Sequence, residues 1–281
     1  FGSTMFYPIV LSYVGEMSPD GEEGYHMGPV NTAGFIGMGI GPLLGGLLTD
    51  LMEFKYVFFG MSALCMASFA LIFLFVPESD RTVARRRRSD ASLWRVFRSR
   101  VLGGVMLYRF LNAFLRGGQM SFLPLLAVSM FDMSYKEIGV VIACNTFLVG
   151  VLQTPFGWVA DRLPKVPLII IGNLLGALAL MLIPVSGGFW GLLPLSVVIG
   201  VGSAMSITAA MAIAVQTGKG NQLMSSTMAV FSMAMSVGMV VAPMFTGIVL
   251  DLTGLGMIFP ACGLLVIGGS FGVYALLRER G

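Results

Sequence analysis

The chain has 281 residues, of which 56% are hydrophobic and 11% charged, with a mean hydropathy of +0.88 and a net charge of +3. Soluble domains run nearer to about 25% charged, and a water-soluble globule of this length could not hide so much apolar surface. One His and three scattered Cys argue against a zinc site, a disulfide scaffold or a Cys/His hydrolase, each of which needs clustered ligands or partners. No cationic stretch followed by a short apolar run and a small-residue cleavage site opens the chain, and its start at Phe1 points to a fragment.

A bilayer core about 30 Å thick takes about 20 apolar residues of helix. Nine runs fit that reading: a partial one over residues 1–15, then, after the polar stretch 16–26, runs over 27–49, 56–76, 101–130, 138–160, 166–184, 189–215, 223–250 and 255–277. The connections are short except 77–100, which contains Arg85, Arg86, Arg87 and Arg88. Within it Leu93, Trp94 and Phe97 alternate with Arg95 and Arg98, a pattern that suits a short interfacial helix.

Cytoplasmic loops are enriched in Lys and Arg. If the 77–100 loop is cytoplasmic, alternation puts Arg81, Arg85 to Arg88, Arg95, Arg98, Arg100, Arg162, Lys165, Lys219, Arg278 and Arg280 on that side, 13 of 17 in all. Lys55 and Lys136 then fall outside, Arg109 and Arg116 lie within a span, and the C-terminus is cytoplasmic. Between two spans, an Arg run reads as a topology signal and an anionic-lipid contact at 81–100 rather than as a nucleic-acid patch.

The segment from Gly37 to Leu51 aligns without gaps on the segment from Gly238 to Leu252, with six of fifteen positions identical at an offset of 201. The identities are Gly37/Gly238, Met38/Met239, Pro42/Pro243, Gly46/Gly247, Asp50/Asp251 and Leu51/Leu252. Such a repeat reads as a duplicated half, as transporter folds often contain, the alternative being two Gly/Pro helices that converged. If the second half begins near Val101, its counterpart begins about 100 residues before Phe1, room for three helices with loops. The parent would then hold twelve helices in two halves, and this chain part of helix 4 through helix 12.

Gly28, Gly37, Gly41, Pro42, Gly45 and Gly46 are spaced G-x8-G-x3-G-P-x2-G-G. Small residues four apart admit a close neighbouring helix, and Pro42 removes a backbone donor and bends the span. That spacing resembles the helix 5 antiporter motif of the major facilitator superfamily, especially its drug:proton exporters. A second stretch, Gly157-Trp158-Val159-Ala160-Asp161-Arg162-Leu163-Pro164-Lys165, resembles the superfamily's cytoplasmic loop motif G-x-x-x-D-R-x-G-R/K, with Pro164 in place of Gly and Val166 where a second basic residue is common. The resemblance implies that Gly157, Asp161, Arg162 and Lys165 form a gating loop, with Asp161 and Arg162 as a charged latch closing the cytoplasmic side. The alternative for this loop is a set of solvated topogenic charges.

Charge inside a span is costly. If helix 7 leaves the cytoplasmic surface near Val101, Arg109 lies about 12 Å deep and Arg116 about 22 Å deep. With Asn112 and Gln119 they form an i, i+3, i+7, i+10 series on one helix face, followed by Gly117, Gly118 and Pro124. This stripe is expected to line a substrate cavity, with Asn145 and Gln153 facing the same space from helix 8; structural roles remain open for the arginines. Asn173 and Gln216 read as helix–helix glue. No Asp or Glu lies near the middle of a span, so a proton carrier would belong to helices outside this chain. His26, beside Glu22 and Glu23, reads as a solvated loop histidine.

The expected fold is all-α and polytopic, a major facilitator fold with residues 1–77 closing the first six-helix bundle, 78–100 a basic linker and 101–281 the second bundle. The expected function is secondary transport by alternating access, without enzymatic chemistry or cofactor, in a prokaryotic inner membrane. Proton-coupled efflux of drugs or other amphiphiles is what the Gly/Pro motif implies. Symport or facilitated transport of an anionic metabolite is the alternative, and a non-transporting membrane sensor a more distant one. The expected partners are a small-molecule substrate and lipid, with no metal and no nucleic acid, and a monomeric state for the parent.

Overall fold

A computed structural model describes residues 23–75, 99–220 and 224–278. These form eight α-helices: α1 (Glu23–Leu51), α2 (Phe54–Phe75), α3 (Arg100–Phe131), α4 (Tyr135–Arg162), α5 (Lys165–Met181), α6 (Phe189–Gly220), α7 (Met224–Thr253) and α8 (Ile258–Leu277). Short 3-10 turns at Ile183–Val185 and Leu255–Met257 complete them, and there is no strand among the described residues. Each apolar run from Met27 onward becomes one helix, with its ends moved by a few residues. The run over 1–15 and nearly all of the 77–100 linker, including Arg81 to Arg98, lie outside the described residues.

Several helices outrun their apolar cores because local chemistry continues them. α1 takes in Glu23 to His26, which the sequence placed in a loop. The Ser99 side chain accepts from Leu102 N–H and starts α3. α4 opens on a capping box, in which Ser134 accepts from Glu137 N–H and the Glu137 carboxylate accepts from Ser134 N–H. α5 stops at Met181, and the chain turns through a 3-10 segment containing Pro184, which has no N–H to continue the ladder. Gly187 and Gly188, with φ of 74° and 121°, then reverse the chain into α6, a conformation that favours residues without a Cβ.

Five helices, α2, α4, α6, α7 and α8, contain stretches long and apolar enough to cross a membrane. α1 and α5 carry shorter apolar stretches, and α3, with 32 residues, is long enough but is interrupted by Arg109 and Arg116. α3 through α8 pack as a bundle: α6 lies against α4 and α5, α3 against α7 and α8, and α5 against α8. Its interior is a main cluster built around Tyr108, Phe114, Leu180 and Phe259, with a small second one at Leu102 and Val230. α1 packs on α4, whereas α2 has no buried residue and touches chiefly α1.

Lipid offers little hydrophobic drive between helices, so close backbone approach and polar ties have to hold them. α5 and α6 cross where Gly172 and Gly202 face each other's carbonyl oxygens, and a Cβ on Gly202 would stand 2.5 Å from Gly172 O. Beside this crossing Tyr108 donates to Ser206 Oγ at 2.8 Å, and Ser206 donates to Gly202 O at 2.8 Å. Asn173 donates to Ser270 Oγ at 2.8 Å and ties α5 to α8, the glue role its sequence position suggested. Because the Gly172/Gly202 contact is backbone on backbone, Gly202→Ala should lower unfolding stability in detergent by about 1–3 kcal/mol. Gly268→Ala, which meets open space, should leave it unchanged; equal melting of the two variants would show that the crossing relaxes freely.

Candidate functional site

α3 brings the polar series together as the spacing requires. Arg109, Asn112, Arg116 and Gln119 lie on one face, and both amides are nearly buried, at 8% and 4% exposure. Neither amide has a hydrogen-bond partner among the described residues. Arg109 reaches α7, where its Nη2 donates to Met235 Sδ at 2.7 Å and its guanidinium lies 4.9 Å from the centre of the Phe231 ring. Its Nε, and Nη2 of Arg116, are sealed from solvent without a hydrogen-bond partner. Among the described residues neither cation meets a carboxylate, a costly arrangement within an apolar bundle that calls for acceptors.

Gly117 packs so closely on α7 that a Cβ there would stand 2.9 Å from that of Ala242, and Gly118 lies next to Thr246 and Cys262. Pro124 lies inside α3 without ending it. Asn145 behaves differently from the stripe: it is buried and donates to Ser196 O at 3.0 Å, while Ser196 Oγ donates back to Val141 O at 2.8 Å. This reciprocal pair ties α4 to α6 and commits the Asn145 amide to helix contact rather than to an open space. Gln153, two turns further along α4, is half-buried.

A second constellation joins α1 to α4. Pro42 O faces the Cα hydrogens of Gly139, where an added Cβ would stand 2.5 Å from it, and a Cβ on Gly46 would land on Tyr135 O. The crossing brings Asp50, one turn beyond Gly46, to the start of α4. Its two carboxylate oxygens accept from Tyr135 N–H at 3.1 Å and from Lys136 N–H at 2.9 Å. Ser134 Oγ takes the next N–H, that of Glu137, at 3.3 Å. With Ser134 N–H donating to the Glu137 carboxylate at 2.9 Å, all four N–H groups that a helix start leaves without internal partners are satisfied, two of them by a carboxylate from another helix, which also meets the positive end of the α4 dipole.

The sequence put Asp50 at a helix end but not on a partner. The signal that could have found it was its identity with Asp251 in the repeat. The two copies use different faces: Gly37, Gly41 and Gly45 of α1 meet open space, whereas Gly238 packs on Phe110 and Ala113 of α3. Conversely Gly46 is packed, whereas Gly247 meets open space and Asp251 is exposed. Gly28 lies in α1, and its side-chain surroundings fall outside the described residues.

At the opposite end, Gly157 to Arg162 form the last turns of α4, and the loop proper is only Leu163 and Pro164 before Lys165 starts α5. The exposed Arg162 stacks 3.4 Å from the centre of the Trp158 ring. Lys165 is half-buried, and the Asp161 side chain lies outside the described residues.

The sequence model of the Major Facilitator Superfamily matches residues 1–108 and 105–281. The chain belongs to this superfamily. It is 25% identical, over 95% of its length and 70% of the relative's, to an uncharacterized MFS-type transporter of Methanocaldococcus jannaschii. It is 27% identical to the multidrug resistance protein MdtG of Proteus mirabilis, over 75% of this chain and 53% of that protein. Among solved structures, a bacterial homolog of the human lysosomal transporter Spinster, inward-facing and unoccupied, superposes with a TM-score of 0.64 at 13% identity, covering 97% of this chain and 72% of that one. The protein is an integral membrane transporter of the major facilitator fold and not an enzyme.

The two kinds of amide on α3 and α4 are separable by stability. Asn145→Val should cost about 0.5–2 kcal/mol of unfolding free energy in detergent, the range of a lost interhelical hydrogen bond in a membrane protein. Asn112→Val, which breaks no bond, should change it little. Denaturation of the two variants checks this, and equal losses would mean that Asn112 has a partner as well.

Proposed function

We propose that the protein exports amphiphilic small molecules by alternating access, with proton entry as the energy source. The observation that carries this reading is the α3 stripe, a polar face with unsatisfied donors placed deep within a helix of a transporter bundle. The likeness to MdtG, which is named a multidrug resistance protein, supports the choice of substrate and direction. Arg109 and Arg116 favour a second reading, in which the protein is a symporter or facilitator for an anion.

In this reading residues 1–77 close one six-helix bundle, 101–281 form the other, and the 78–100 linker lies on the cytoplasmic face of a prokaryotic inner membrane, as does the C-terminus. Asp50 then closes the outer side by holding α1 against the α4 N-terminus. Asp161, Arg162 and Lys165 hold the cytoplasmic side closed in the alternate state. The carboxylates with described side chains, Asp50, Glu53, Asp132, Glu137 and Asp251, all stand at or beyond helix ends. The proton carrier is accordingly assigned to helices other than these.

Everted vesicles containing the intact transporter and energised with a proton gradient test the proposal. Adding tetraphenylphosphonium, and separately naphthylacetate, should raise lumenal pH for at least one probe as substrate enters and protons leave. Uptake without a pH change would overturn proton coupling, and silence for both with the protein present would overturn amphiphile export.

A further inference from the structure

We infer that Arg109 and Arg116 hold the negatively charged head of an amphiphilic organic anion, a carboxylate on an apolar body. The inference rests on the transporter reading and names the charge of its substrate. The two arginines lie on one face of α3, two turns apart, with their Cα atoms separated by about 10 Å along the axis. Neither has a carboxylate partner among the described residues, and a nitrogen of each is sealed from water with nothing to donate to. Burying a cation with donors unmet is destabilising, and acceptor oxygens remove that penalty.

The geometry around Arg109 favours an oxyanion. The Phe231 ring covers the guanidinium, and one Nη2 donor goes to the weak acceptor Met235 Sδ. The side chain remains partly exposed, and a planar guanidinium takes a carboxylate in its own plane, often with two parallel hydrogen bonds. Asn112, between the two arginines, and Gln119 beyond them add amide donors without partners among the described residues. The wall at Arg109 is apolar and adaptable, with Met235 and Phe231 against its guanidinium. Thioether side chains re-pack around varied apolar bodies.

The same carboxylate chemistry could come from an Asp or Glu elsewhere in the protein, and the experiment separates the two sources. Purified intact transporter is titrated with three probes sharing one apolar body: 1-naphthylacetate, the neutral 2-(1-naphthyl)ethanol and the cationic 2-(1-naphthyl)ethylamine. The expected result is binding of the acetate at least tenfold tighter than of the other two. Arg116→Gln should lose that advantage, and Arg116→Lys should keep part of it.

Equal binding of the three probes, or preference for the amine, overturns the anion site while leaving the transporter reading standing, because binding persists. No binding by any probe overturns it as well. If Arg116→Gln fails to fold, discrimination among the probes by the wild-type protein still decides. Failed folding together with no preference for the acetate assigns Arg116 to an internal ion pair and contradicts the inference.

Discussion

The approach of α1 to α4 depends on two residues having no side chain. Gly46 and Gly139 let each helix bring backbone against backbone, and only at that separation can the Asp50 carboxylate reach the N–H groups of Tyr135 and Lys136. Among the described residues this crossing is the principal link between α1 and α2 on one side and the α3–α8 bundle on the other. It combines van der Waals contact, which a single Cβ would abolish, with charge-assisted hydrogen bonds that need no further desolvation because Asp50 is exposed. A joint of this kind is firm when seated and inexpensive to open, the combination alternating access requires.

The internal repeat gains a physical meaning from the same contacts. Small residues recur every four positions on two adjacent faces of α1 and α7, and each copy buries the face that the other leaves open. α7 uses Gly238, Ala242 and Thr246 against α3, whereas α1 uses Pro42, Gly46 and Asp50 against α4. The identical residues of the repeat fall on both faces, which is what two equivalent helices need if each has two neighbours of the same kind. A helix seated on Gly247 as α4 is seated on Gly46 would place its N-terminus at Asp251.

Much of this was legible in the sequence because a membrane reduces the choices. Every spanning segment must satisfy its own backbone, so apolar run length alone located the eight described helices. Side-chain spacing placed Arg109, Asn112, Arg116 and Gln119 on one face, since helical periodicity is local information. It could not say what each face meets. Asn145 has the same polarity as Asn112, yet one is tied to Ser196 and the other is untied, a difference set by α6, more than forty residues away. Met235 and Phe231, the neighbours of Arg109, carry no sequence signal that separates them from other apolar residues of α7. Asp50 was visible as a repeated residue, but its partners are backbone N–H groups, which every residue but proline possesses.

The central claim is that the Asp50 contact is a releasable closure between α1 and the start of α4. Distances between spin labels at positions 52 and 136, measured in the intact transporter in lipid nanodiscs, test it most directly. The wild-type protein should show a short, closed population, and Asp50→Ala should shift weight to a longer one while the helices stay folded. A distribution that is the same in both proteins would contradict the account and reduce the carboxylate to a surface cap.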